Sequence, residues 1–154
     1  MRAIDFFCGG GGMTRGLLNA GIEVLAGVDI CPEYEETYTI NNHNLYLAKS
    51  ITDITEEEIL EIIPDIHNAD DVLFVGCAPC QPFSKQRNVP EEHRDRSLLL
   101  EFGNVVEHYH PAYVVVENVP DITRRGQDIF NQFLDTLTAN GYHYTYAVLN
   151  AKKY

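Results

Sequence analysis

Short apolar runs alternate with longer amphipathic stretches along this chain, and the two patterns predict different elements. Runs of four to seven mostly apolar or β-branched residues are typical of buried strands. They occur at residues 3–7, 22–28, 45–48, 72–75 and 112–117. Residues 142–149 alternate apolar and polar positions, which predicts one more strand.

The stretches between these runs carry the signals of helix starts and ends. Gly21 and Gly141 follow two of them, Pro32 suits a first helical turn, and Thr55 can cap a helix that opens on three glutamates. The sequence therefore predicts helices over residues 13–20, 32–42, 55–63, 97–109 and 127–140.

Strands separated by helices predict an α/β fold with a mostly parallel sheet covered on both faces. In such folds ligands bind at the carboxyl ends of the strands. Residues 76–96 interrupt the pattern with no periodicity and with Pro79, Pro82 and Pro90. A loop of this length in a compact domain is usually functional or disordered.

Length and composition suit one ordinary domain, residues 1–154. Apolar residues make up 45% of the chain, yet no apolar run reaches the roughly 18 residues of a membrane span. The start of the chain has no signal-peptide pattern, and four cysteines are too few for a disulfide scaffold. These features predict a cytoplasmic protein with reduced thiols.

The net charge of −12 argues against a chain that grips a phosphate backbone unaided. Either nucleic acid is not the partner, or the basic surface lies on another segment. The charge is equally compatible with a role in solubility alone.

Residues with chemical potential follow the predicted strands one by one. A glycine cluster at residues 9–12 follows the first strand, and Asp29 follows the second. Such a pair suits a nucleotide-type cofactor, with the carboxylate on the ribose, without choosing among NAD, FAD and S-adenosylmethionine. The glycines can also form a purely structural turn. Asp53 suits either a helix cap or a hydrogen bond to an adenine amino group.

Cys77 and Cys80 form a Cys-x-x-Cys pair after the fourth strand, and their spacing leaves four interpretations open. They can be a redox pair, half of a zinc site, two buried structural residues, or a loop with Cys80 as a single nucleophile. The sequence lacks a second pair of zinc ligands, so we predict no metal.

Glu117 follows four apolar strand residues. It is expected to be partly desolvated, which would raise its pKa, unless it is a strand-end carboxylate in water.

Together these residues resemble the DNA cytosine-5 methyltransferase family. The matching segments run in the family's order: Phe7-Cys8-Gly9-Gly10-Gly11-Gly12, Asp29, Asp53-Ile54, Pro79-Cys80-Gln81-Pro82-Phe83-Ser84, Asp95-Arg96-Ser97-Leu98-Leu99, Glu117-Asn118-Val119 and Val148-Leu149-Asn150-Ala151. The ordered set is far more specific than any one motif and covers nearly the whole chain.

The resemblance implies a Rossmann-like, S-adenosylmethionine-dependent fold that methylates carbon 5 of cytosine in double-stranded DNA, as in restriction-modification systems. Cys80 would attack carbon 6 of a flipped-out base, and Glu117 would hold the ring. It implies cofactor binding by Phe7, Gly9, Gly11, Gly12, Asp29, Ile30, Asp53, Ile54, Pro79 and Leu99. It implies substrate binding by Gln81, Ser84, Arg96, Asn118 and Val119.

The match departs from the family at Tyr154, before the Gln-x-Arg-x-Arg segment and the target-recognition domain. We therefore expect a catalytic domain incomplete at its C-terminus, a fragment or subunit that needs a partner segment and is inactive alone. Alternatives are a tRNA cytosine methyltransferase relative, a non-catalytic module that binds the cofactor or a partner, and, least supported, a dinucleotide oxidoreductase.

Overall fold

A computed structural model describes residues 1–79 and 98–153, and within them one parallel sheet organises the chain. Its strands are β1 (Arg2–Phe6), β2 (Glu23–Asp29), β3 (Leu45–Ala48), β4 (Val72–Gly76) and β5 (Tyr113–Val116). Their order is β3-β2-β1-β4-β5, and every neighbouring pair is parallel. The carboxyl ends of all five strands therefore meet at one edge.

Helices cover both faces of the sheet. Successive side chains of the central strands point to opposite faces, so each strand contributes to two core clusters. Ile4 and Phe6 of β1 join the larger core cluster, whereas Ala3 joins the smaller one. The covering helices are α1 (Gly12–Asn19), α2 (Glu35–Asn42), α3 (Glu56–Ile62), α4 (Leu98–Tyr109) and α5 (Gln127–Ala139). Residues of α1 pack in the smaller cluster, and residues of α3, α4 and α5 pack in the larger one.

The helix starts predicted from Thr55 and Pro32 are present in the structure. Thr55 accepts a hydrogen bond from the Glu58 amide, and the Glu58 carboxylate accepts one from the Thr55 amide, which forms a capping box at the start of α3. Pro32 opens a short 3-10 turn (Pro32–Tyr34) that leads into α2. The α/β fold, its five strands and its five helices are thus confirmed, with bounds shifted by a few residues at most.

The strand predicted over residues 142–149 is wrong. This segment pairs with none of the strands of the described sheet. Alternation of apolar and polar residues favours a strand, but a ladder also needs a neighbour with free backbone groups alongside.

None of the helices in the described ranges has the length and apolar composition to cross a membrane.

Candidate functional site

The loop between β1 and α1 is held in a conformation that only certain residues tolerate. Phe7, Gly9 and Gly11 have positive φ angles of 59°, 50° and 87°. A Cβ atom on Gly11 would lie 2.1 Å from Asn42 Nδ2 and 2.8 Å from Tyr38 Cδ2. Glycine is therefore required at Gly11 by both backbone conformation and packing. Phe7 is not a glycine, so its left-handed backbone stores strain of about 1–3 kcal/mol, as often occurs at functional sites.

Asp29 ties this loop to the end of β2. The Gly9 amide donates a hydrogen bond to Asp29 Oδ2 at 2.9 Å, and the Cys31 amide donates one to Oδ1 at 3.0 Å. The carboxylate is thus fixed in place by two backbone donors. Each oxygen keeps a further lone pair for a ligand.

A cavity of about 710 Å³ opens where β1, β2 and β3 end. Five of the residues predicted to bind the cofactor line it: Phe7, Asp29, Ile30, Asp53 and Pro79. Asp53 closes a 3-10 turn (Ile51–Asp53) after β3 and is exposed.

The remaining predicted cofactor residues lie around this cavity without lining it. Ile54 and Leu99 pack in the larger core cluster, and Leu99 is only 4% exposed. Gly9, Gly11 and Gly12 shape the loop beside the cavity.

Several lining residues were missed by sequence analysis, among them Tyr34, Lys49, Leu98 and Glu101. Tyr34 and Ile30 are large apolar side chains with 45% and 66% of their surface exposed. The sequence signal that could have identified Tyr34 is an aromatic residue a few positions after Asp29.

The lining suits a nucleoside. Phe7, Ile30 and Tyr34 offer apolar surface to a base, while Asp29 and Asp53 offer carboxylates to hydroxyl or amino groups. These apolar surfaces and hydrogen-bond acceptors fit the adenosine part of S-adenosylmethionine.

A buried network of polar side chains lies next to the glycine loop. Thr14 Oγ1 donates to Asp5 Oδ2 at 2.7 Å and lies 3.2 Å from the Tyr38 hydroxyl. Asp5 is 0% exposed, and its Oδ1 has no partner among the described residues. Burial raises the pKa of Asp5 to about 6, although the Thr14 hydrogen bond opposes the shift. The one sequence signal that could have identified this buried group was a single aspartate inside the apolar run of residues 3–7.

The described cysteines are poor nucleophiles. Burial raises the pKa of the Cys8 thiol strongly and that of Cys77 to about 12, with the Asp5 charge adding to both shifts. Desolvation and the Asp29 charge also raise the pKa of Cys31. Reactive and redox-active thiols have lowered pKa values, so these environments disfavour a redox role for Cys77. Cys80, Gln81, Ser84 and Arg96 lie outside the described residues.

The segment after β5 is joined to the chain that leads to Cys80. Asn118 Nδ2 donates a hydrogen bond to the Ala78 carbonyl at 3.2 Å, and the Val119 amide donates to Asn118 Oδ1 at 2.8 Å. Ala78 stands two residues before Cys80 in the sequence.

Of the two interpretations left open for Glu117, the structure favours the strand-end carboxylate in water, because its side chain is exposed.

Within residues 1–79 and 98–153, no group of three or more histidine, cysteine, aspartate or glutamate side chains is arranged to hold a metal ion.

Comparison with known proteins agrees with this geometry. The family model for C-5 cytosine-specific DNA methylase matches residues 1–154. The type II methylase M.HgiDII of Herpetosiphon aurantiacus is 36% identical over 152 residues, which are 98% of this chain and 42% of that methylase. The type II methyltransferase M.HgiGI of the same organism is 34% identical over 123 residues, which are 77% of this chain and 90% of that protein.

A crystal structure of a prophage-encoded DNA modification methyltransferase from E. coli shares the fold. Its TM-score is 0.73 at 25% identity, over 90% of this chain and 38% of that one. This likeness confirms the Rossmann-like methyltransferase fold.

The chain spans less than half the length of M.HgiDII and of the E. coli methyltransferase. Its full-length match to the family model and its similarity to M.HgiGI nevertheless place it clearly: the chain belongs to the C-5 cytosine-specific DNA methylase family.

Proposed function

We propose that this protein transfers a methyl group from S-adenosylmethionine to carbon 5 of cytosine in DNA, with Cys80 as the covalent nucleophile. The main support for this proposal is the path of the backbone after β4. Pro79, one residue before Cys80, lines the cavity at the ends of β1–β3. Ala78 is hydrogen-bonded to Asn118, beside Glu117. The backbone that leads to Cys80 thus runs between the cofactor cavity and the Glu-Asn-Val segment.

Each proposed cofactor residue suits a different part of the ligand. Asp29 would accept hydrogen bonds from the ribose hydroxyls, Asp53 would accept one from the adenine amino group, and Phe7 and Ile30 would offer apolar surface to the base. Gly9, Gly11 and Gly12 let the backbone approach the ligand closely. Ile54 and Leu99 support the lining from the core, so their part is indirect. The bound cofactor supplies an electrophilic methyl group.

Cys80 and Glu117 would act on the base. The Cys80 thiolate adds to carbon 6 of a flipped-out cytosine, and the electron pair of the broken double bond moves toward carbon 5. Glu117 binds ring nitrogen 3 and the exocyclic amine, which stabilises the charge that develops on the ring. After methyl transfer, loss of the carbon-5 proton expels Cys80 and restores the aromatic ring. Gln81, Ser84, Arg96, Asn118 and Val119 would position the base and its backbone.

The substrate would be double-stranded DNA in the bacterial cytoplasm, and the similarity to type II methylases of Herpetosiphon aurantiacus supports the methylase role. A chain of net charge −12 is poorly suited to bind DNA alone, so we propose that a further segment or subunit supplies the basic recognition surface.

Calorimetry with S-adenosylmethionine tests the cofactor site on the purified chain. We expect saturable binding that weakens by about tenfold or more in Asp29→Ala, since hydrogen bonds to a charged acceptor contribute about 1.5–3 kcal/mol. Asp135→Ala, an exposed aspartate on α5, is the matched control and leaves affinity unchanged. Absence of heat at millimolar S-adenosylmethionine, or equal binding of NAD, would refute the assignment.

A further inference from the structure

The Asp29 carboxylate depends on Cys31 for one of its two backbone hydrogen bonds. The Cys31 amide donates to Asp29 Oδ1 at 3.0 Å. The Cys31 carbonyl is held as well, because it accepts hydrogen bonds from the Tyr34 amide at 3.2 Å and from the Tyr46 hydroxyl at 2.5 Å. Both peptide groups of Cys31 are therefore bonded, one to Asp29 and the other to a buried tyrosine side chain.

Pro32 makes Cys31 a stiff link between these two contacts. A residue that precedes proline is restricted to extended backbone conformations, and Cys31 has φ −92° and ψ 104°. Because rotation about the bonds of Cys31 is limited, a contact that fixes its carbonyl also restricts the direction of its amide. The Tyr46 hydroxyl thereby influences the orientation of the Asp29 carboxylate.

Packing fixes the direction in which Tyr46 points. Tyr46 lies on β3 opposite Gly27 of β2 and is 7% exposed. Its ring packs against that of Tyr38, with centroids 5.3 Å apart. Tyr38 is fully buried and fills the space beside β2, since a Cβ atom on Gly27 would lie 2.5 Å from the Tyr38 ring. The position of the Tyr46 ring therefore does not depend on its hydroxyl group.

The Tyr46 hydroxyl remains a hydrogen-bond donor near neutral pH. Burial raises the pKa of Tyr46 well above that of an ordinary tyrosine, and the negative charge of Asp29 adds to the shift. The hydroxyl therefore keeps the proton that it donates to the Cys31 carbonyl.

We propose that Tyr46 is a positioning residue of the cofactor site, whose hydroxyl holds Cys31 so that Asp29 presents its carboxylate to the ribose hydroxyls. Tyr46 acts through Cys31, which lines the cavity together with Asp29. The proposal rests on the proposed function for the ligand of Asp29. It adds a residue of β3 that lies outside the motifs of the sequence.

Tyr46→Phe tests the contact, because it removes the hydroxyl and keeps the ring that packs against Tyr38. Tyr142→Phe is the matched control, since the Tyr142 hydroxyl also donates to a backbone carbonyl, that of Pro111, at 2.6 Å. Pro111 precedes β5, so this second contact lies at the edge of the sheet where the strands begin, opposite the cavity. Each variant loses one hydrogen bond of the same kind, and urea denaturation should show similar losses of stability.

Two nucleosides separate positioning from structural support. Adenosine carries both ribose hydroxyls, and 2′,3′-dideoxyadenosine carries neither, so the ratio of their dissociation constants reports the hydroxyl contacts. Calorimetry on the full chain measures both constants. We expect the native chain to prefer adenosine by about tenfold or more, and Tyr46→Phe to lower that preference by about threefold or more, whereas Tyr142→Phe leaves it unchanged. A purely structural role would weaken the binding of both nucleosides equally and leave the ratio unchanged.

Asp29→Ala shows whether the effect passes through the carboxylate. The preference for adenosine should be lost in Asp29→Ala, and adding Tyr46→Phe should change it no further. A native ratio retained in Tyr46→Phe would overturn the proposal, and so would a second effect of Tyr46→Phe in the absence of the Asp29 carboxylate.

Hydrogen exchange in the ligand-free chain distinguishes failure of this proposal from failure of the proposed function. The Cys31 amide should exchange about fivefold faster in Tyr46→Phe than in the native chain, and at the native rate in Tyr142→Phe. Unchanged exchange at Cys31 in Tyr46→Phe would refute positioning by Tyr46, whatever the ligand. A native preference near one, with faster exchange at Cys31, would instead refute the ribose contact of Asp29 and support the link from Tyr46 to Asp29.

Discussion

At the scale of single residues, the glycine loop depends most on Gly11. Gly11→Ala would place a methyl group in a positive-φ backbone and 2.1 Å from Asn42 Nδ2. We expect the free energy of unfolding to fall by about 2–4 kcal/mol, the sum of backbone strain and steric overlap. Urea denaturation measures the loss.

Gly12 provides the matched control for this substitution. It is the first residue of α1, and a Cβ atom there meets nothing within 4 Å. Gly12→Ala should change the free energy of unfolding by less than about 1 kcal/mol. Equal losses in the two variants would mean that packing against α2 does not fix the loop.

Asp5 predicts a pH dependence with a definite sign. Its folded pKa of about 6 exceeds the roughly 3.9 of an unfolded aspartate, so the folded state holds its proton more tightly. This contribution is complete below about pH 4 and is lost as pH rises through 6, a change of about 3 kcal/mol.

Asp5→Asn isolates this effect from that of other carboxylates. The difference in unfolding free energy between the native chain and the variant should shift against the native chain from pH 4 to pH 7. A difference independent of pH would show that Asp5 does not titrate in this range.

The sequence was enough to predict which residues come together when their placement follows from position alone. Asp29 ends β2 and the glycines follow β1, and the parallel sheet brings those strand ends together. The placement of Tyr34 and Asp5 depends instead on which surfaces pack together, and so does the choice between the two interpretations of Glu117 that its apolar neighbours along the chain left open.

At the scale of elements, local signals sufficed for the five strands and five helices. The capping box of Thr55 and Glu58 and the apolar run of β4 act through neighbours in sequence. Residues 142–149 carry an equally regular pattern, yet they form no ladder in the described structure. Pairing is not local: a strand also needs a neighbour, and no described strand lies on the outer side of β5.

At the scale of the whole molecule, the net charge limits what this chain is expected to do alone. The described sheet has a cavity at the ends of β1–β3, on a chain of net charge −12. Such a charge disfavours binding to a polyanion, which is why the proposed function includes a basic recognition surface on a further segment or subunit. The family was predictable because several motifs occur in order. The fold was needed to show that Phe7, Asp29 and Asp53 line one cavity.

Covalent trapping shows whether Cys80 attacks cytosine as proposed. The enzyme is purified from the cells that produce it, so that any completing chain is present, and is incubated with S-adenosylmethionine and DNA containing 5-fluorocytosine. Fluorine cannot leave as a proton does, so the adduct persists. A denaturation-resistant protein–DNA complex is expected for the native enzyme and none for Cys80→Ser. A complex that survives Cys80→Ser, or no complex with the native protein, would mean that Cys80 is not the nucleophile.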